Sequence, residues 1–185
     1  MDDFFARVTG RAWPWPAGRE DYHWHILPPD SGLVRDKLMG PYREVTHHPG
    51  LEPVAPEWAH ITVLHSGPVG EVTGPEITAI TSRVRAACAT VAPFTLTVDR
   101  PAVGTVAVEL PARPGAPARR LWELTTEATR EVIGGRYPVL PAVYYPHLTI
   151  AYADHRELHQ TGANALVARS WDSGFGLRGA YTLAA

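Results

Sequence analysis

The sequence has one cysteine, Cys88, and of its 17 basic residues only Lys37 is lysine. A single thiol excludes an internal disulfide framework and a cysteine-built zinc cluster, and it fits a reducing compartment. The arginine bias, beside abundant alanine, proline and glycine, reads as codon usage more than as phosphate recognition. Neither sign of charge dominates: 17 basic against 19 acidic side chains give a net charge of −2. Steering toward a long nucleic-acid duplex is therefore not expected, while a small or terminal phosphate ligand stays open. No apolar run approaches the roughly 18 residues of a membrane span. The first residues, MDDFFARVTG, are acidic where a secretory signal would be positive. A cytoplasmic monomer without membrane contact is the expectation. What is present is an apolar content of 45% in 185 residues, enough for one domain, 1–185, with an N-terminal arm, 1–21, that contains WPWP.

Past the arm, YHWHILPP (22–29) reads as a strand ended by two prolines. Residues 28–57 carry six prolines and several glycines and read as a long connection with at most a short helix near 33–39. AHITVLHS (59–66) is a strand by its β-branched content. GPEITAITSRVRAACATV (74–91) is a helix with Ile77, Ile80, Val84, Cys88 and Val91 on one stripe, so Cys88 is a core residue rather than a nucleophile. FTLTVD (94–99) and VGTVAVEL (103–110) form a hairpin. PARPGAPA is a loop before a second helix, whose face is Leu121, Leu124, Ala128 and Val132 and whose stop is Gly134 and Gly135. YYPHLTIAYA (144–153) is a strand, Asp154 and Glu157 form a capping box, and LRGAYTL closes the chain as a strand. An α+β domain follows.

Two tetrads carry the chemistry. His60-Ile61-Thr62-Val63 and His147-Leu148-Thr149-Ile150 share the order His, aliphatic, Thr, aliphatic, 147 − 60 = 87 residues apart. Chance begins such a tetrad at a given histidine on the order of 1 per cent of the time, so a second copy calls for a cause. On strands, each copy presents an imidazole and a hydroxyl on one face and two aliphatic side chains on the other. His159-Gln160-Thr161 has a similar form but sits in an expected helix, where residues two apart do not share a face. Two imidazoles and two hydroxyls suit phosphoester chemistry without a metal. One imidazole removes a proton from water, the other protonates the leaving ribose oxygen, and the hydroxyls donate to the phosphoryl oxygens. In-line displacement needs acid and base on opposite sides of phosphorus, which two strands facing each other across a cleft would provide.

The paired motifs HITV and HLTI resemble the signature of the 2H phosphoesterase superfamily, which includes 2′-5′ RNA ligase-like proteins and cyclic phosphodiesterases. The order of elements from about 22 to 183 is similar as well. The resemblance implies a bilobal fold of two pseudo-symmetric lobes with antiparallel sheets around a central cleft. It implies a metal-independent phosphodiesterase that opens 2′,3′-cyclic phosphates or acts on 2′-5′ linked RNA or nucleotides, with no cofactor and a nucleotide or RNA end as partner. His147 would activate water and His60 would protonate the leaving oxygen, beside Thr62 and Thr149. Two features depart from the simplest family pattern: a polar first strand, and a long connection before the first motif.

The remaining candidates are weaker. Tyr152 is expected to continue the face of His147 and Thr149, and His25 and Trp24 to line the cleft, the aromatic rings stacking on a base. His65 falls on the opposite face of its strand or past its end and receives no role. His23 and His25 share a face and, with His47 and His48, are the one conceivable zinc set, without a zinc motif's spacing. The alternative to an enzyme is a binding module that holds a nucleotide or RNA end in the same cleft without turnover.

Overall fold

The computed structural model describes residues 20–138 and 140–153 and the backbone of 179–182. Its strands are β1 (Asp21–Ile26), β2 (Leu51–Pro53), β3 (Ile61–Pro68), β4 (Thr95–Val98), β5 (Ala102–Val103), β6 (Ala107–Arg113), β7 (His147–Ala153) and β8 (Gly179–Thr182). They form one open sheet in the order β1-β3-β7-β6-β4-β8, with β2 on β7 and β5 on β6. Every pairing is antiparallel. The expected α+β class with antiparallel sheet is what the chain adopts.

Two long helices, α1 (Gly74–Cys88) and α2 (Gly115–Ile133), pack on each other. Thr73 and Glu76 cap the start of α1 reciprocally, with Pro75 in the first turn where its missing N–H costs nothing. Gly134 ends α2 at φ 61°, a conformation that other residues rarely adopt. Ile80, Val84, Ala128 and Ile133 build a core between the two helices, and Cys88 packs against it with its thiol pushed up by burial.

Three segments differ from the reading of the sequence. Residues 31–46 are not a mainly irregular connection: Ser31–Leu33, Val34–Met39, Gly40–Tyr42 and Arg43–Thr46 run on as consecutive helical turns. Asp30 caps them, accepting from the N–H of Gly32 at 2.6 Å. Val34, Leu38, Met39, Tyr42 and Val45 recur at helical spacing and are buried in the main core. Gly40 and Pro41 mask that period in the sequence. Strand β6 runs through Pro111 to Arg113, into the supposed loop, because only the carbonyl of Pro111 is needed there; it accepts from Asp99 N–H at 2.7 Å. The expected hairpin is longer accordingly, with Val98 opposite Ala112 and the short β5 folded onto β6. Residues 1–19 of the arm, the Asp154–Glu157 box and His159 to Thr161 lie outside the described residues, and Asp21, at the arm's expected end, opens β1.

Candidate active site

The two tetrads meet at one rung. Ile61 pairs with Leu148, and both are buried. From that rung β3 runs alongside β1, while β7 runs the other way between β6 and β2. The motif strands are thus neighbours in one sheet that diverge from a shared start, not strands facing each other across a gap. Continuing the antiparallel register by one residue sets His60 beside Thr149 and Thr62 beside His147, all four on the face opposite Ile61 and Leu148. The two histidine positions are then diagonal neighbours, roughly 7–8 Å apart or somewhat less at Cβ.

Each histidine is held by the same local device. His60 Nδ1 lies 2.7 Å from the carbonyl of Trp58, and His147 Nδ1 lies 3.1 Å from the carbonyl of Tyr145. A carbonyl only accepts, so Nδ1 carries hydrogen in both rings and Nε2 is left for the proton that chemistry moves. The repeat is therefore five residues long: Trp58-Ala59-His60-Ile61-Thr62 and Tyr145-Pro146-His147-Leu148-Thr149. The sequence signal for it is an aromatic residue two places before each histidine, which the tetrads alone do not include. Trp58 and Tyr145 are 72% and 52% exposed, which is high for such large rings.

Glu109 is the residue that sequence reasoning missed. It pairs with Thr149 across β6 and β7 and so shares its face. Its Oε1 is 3.8 Å from His147 Nε2, and its Oε2 accepts from the hydroxyl of Tyr145 at 2.7 Å. Burial, and then this bond to a carboxylate, push the Tyr145 phenol up to about 12. In the sequence, Glu109 is the only charged residue in the run 103–110. A carboxylate there steadies an imidazolium as it forms. Changing Glu109→Gln keeps shape and hydrogen bond but removes the charge. We expect kcat for phosphodiester cleavage to fall roughly tenfold, a barrier change of about 1.4 kcal/mol, with KM within about twofold; steady-state kinetics check it.

Tyr152 shares the site face for a reason the alternation does not contain. Val108 pairs with Ala151 and Glu109 with Thr149, so Ile150 is an extra residue in β7. Counting strictly by twos would put Ala151, not Tyr152, beside Thr149; the bulge restores Tyr152. The phenol is raised chiefly by burial, opposed by a hydrogen bond with Thr149.

A second bulge corrects His65. Trp24 pairs with Leu64 and His25 with Thr62, which leaves Val63 extra in β3 and turns His65 to the face of Thr62 rather than the opposite one. His65 lies opposite His23, their ring centroids 3.9 Å apart. His23 meets His25 edge to face at 5.4 Å, and His25 stacks on His60 at 3.9 Å with planes 20° apart. Four imidazoles thus run in a row from the first motif. Trp24 is on the other face: its indole N–H donates to Ser66 Oγ at 2.8 Å and its ring joins both cores, so it does not line the site. Tyr144, a further aromatic ring near the second motif, is likewise buried in the core.

Burial, then the neighbouring His60 and His23, lower His25 from 6.5 to about 4. The unfolded chain takes up this proton near 6.5 and the folded chain only near 4, so folding weakens as pH falls through that window. For this ring, which is exposed to solvent and so screened, the penalty is on the order of 1 kcal/mol. Urea midpoints at pH 7 and pH 4.5 should fall further apart in the wild type than in His25→Phe.

His47 and His48 belong to the turn before β2, where their Nδ1 atoms bond to the carbonyls of Arg43 and Pro49. They do not join His23 and His25, and among the described residues no three ligand side chains converge as a metal set. An open groove of about 870 Å³, lined by Asp99, Arg113, Arg119 and Tyr145, leads away from the Tyr145 side of the site. Among the described residues no helix is long and apolar enough to cross a membrane.

Comparison with known proteins identifies a family and a fold. Residues 28–173 match the profile of the 2′-5′ RNA ligase superfamily. The structure of TT0787 from Thermus thermophilus is 25% identical, with a TM-score of 0.58 over 76% of this chain and 77% of that one. Escherichia coli LigT complexed with ATP is 18% identical, with a TM-score of 0.57 over 76% and 77%. LigT complexed with 3′-AMP is 20% identical, with a TM-score of 0.56 over 75% and 74%. No functionally curated sequence matches.

Proposed function

Because the chain belongs to the 2′-5′ RNA ligase superfamily, we propose that it is a metal-independent phosphodiesterase that opens 2′,3′-cyclic phosphates or cleaves 2′-5′ linkages at an RNA end or nucleotide. The observation that carries this reading is the pair of His-x-Thr motifs joined at Ile61 and Leu148, each histidine anchored through Nδ1 to the carbonyl two residues before it. In hydrolysis, Nε2 of His147 takes a proton as water attacks phosphorus, and Glu109 at 3.8 Å balances the charge that appears on the ring. His60 gives its Nε2 proton to the ribose oxygen as that P–O bond breaks. Thr62 and Thr149 donate to the non-bridging oxygens as charge builds on them. Both rings return to their starting states by exchange with solvent. These groups supply acid, base and charge stabilisation, so no step calls for a metal.

Tyr152 and the exposed Trp58 and Tyr145 are assigned to the nucleoside, and the groove beyond Tyr145 to the rest of a longer substrate. LigT forms complexes with ATP and with 3′-AMP, which supports a nucleotide here. The test is turnover of the four 2′,3′-cyclic nucleotides and a 2′-5′ dinucleotide in excess chelator. Expected is a single phosphomonoester product per cyclic substrate. Tight binding with no turnover on any of them would replace the enzyme with a binding module.

A further inference from the structure

We propose that His25 is a positioning residue for His60: its stacked ring fixes the plane of the catalytic imidazole, and His23 and His65 brace it from behind. The proposal rests on the reading of His60 as the general acid. Two restraints define an imidazole. The Nδ1 bond to the Trp58 carbonyl, 2.7 Å long, holds that nitrogen in place but leaves some rotation of the ring plane through small changes of χ1 and χ2. The His25 ring, 3.9 Å away and only 20° from parallel, removes that rotation. It can do so because the cross-strand pair His25 and Thr62 puts both on the site face next to His60. His25 also meets His23 edge to face at 5.4 Å, and His23 in turn lies 3.9 Å from the His65 ring.

Other roles for the row fit less well. A proton relay would need His25 to accept a proton near neutrality, and burial with two neighbouring imidazoles holds it down at about 4. A metal would need ring nitrogens aimed at one point, whereas stacked rings carry their lone pairs in parallel planes. Among the described residues, the charged or titratable groups around His25 are His23 on its own strand, Asp21 acting on His23, His60 just before β3 and His65 on β3. Near neutral pH the His25 ring therefore presents an uncharged face to His60.

The experiment compares His25→Ala with His25→Phe, which replaces the face but no nitrogen. For cyclic phosphate opening, His25→Ala should lower kcat by roughly 10- to 100-fold with KM within about threefold. His25→Phe should recover most of that loss. In parallel, the His60 ring resonances are followed by NMR in the folded proteins. They should move downfield in His25→Ala, where the stacked ring is lost, and return toward the wild type in His25→Phe. A phenylalanine variant as slow as the alanine one would make the ring nitrogen the active feature and overturn the proposal. So would an unchanged His60 resonance in His25→Ala. Should no phosphodiester turn over in the wild type, the proposed function falls, and the resonance of His60 decides the stack alone.

Discussion

His147→Ala is expected to lower kcat/KM for a 2′,3′-cyclic nucleotide by roughly 10³-fold, within the 10²- to 10⁴-fold usual for losing a positioned general acid or base. His60→Ala should cost about as much. Both effects should appear in kcat with little change in KM, since Thr62, Thr149 and Tyr152 still hold the substrate. The double variant should be hardly slower than either single one, because an acid and a base acting in one transition state fail together. Initial rates in excess chelator, over a pH series, make the comparison. A double variant as active as the wild type would remove both histidines from the chemistry. Losses that multiply, near 10⁶-fold, would mean two independent steps rather than one concerted one.

The second large effect is on stability. Leu148 is 1% exposed and faces two strands at once, paired with Ile61 on one side and Leu110 on the other. Truncation to alanine leaves a cavity that the main core, closed around it by Ile61, Leu64 and Ile150, cannot easily fill. The expected cost is about 3 kcal/mol, in the middle of the range for buried leucine truncations. Urea unfolding should show a lower midpoint with an unchanged slope. Because the lost side chain lies directly between the two histidine positions, on their reverse side, kcat at a temperature where the variant is folded should fall as well.

Much of this was legible in the residues. The duplicated tetrad, the stripe from Ile77 to Cys88, the stop at Gly134 and the last strand all follow from local rules of period and backbone freedom, and the chain obeys them. What was not legible depends on partners. Glu109 in isolation is one charged residue in an alternating strand, and only its register against Thr149 brings it to His147. The extra residues at Val63 and Ile150 exist only relative to the strands opposite them, so no count along one strand could have turned His65 to the site face. Trp24 shows the converse: its ring suited a stacking role, and alternation between His23 and His25 already pointed it to the reverse face. The helical turns at 31–46 were hidden differently, by glycine and proline within a segment whose burial supplies what propensity lacks.

The joint at Ile61 and Leu148 also bears on how such a site can vary. All four motif side chains lie within one residue of a single ladder rung, and everything else in each half extends away from it. The separation of the two imidazoles is therefore a local dimension, like the bite of pliers measured at the pivot. Insertions, altered loops or bending at the far ends of β3 and β7 leave it unchanged, so substrate choice can be remodelled there without retuning the chemistry.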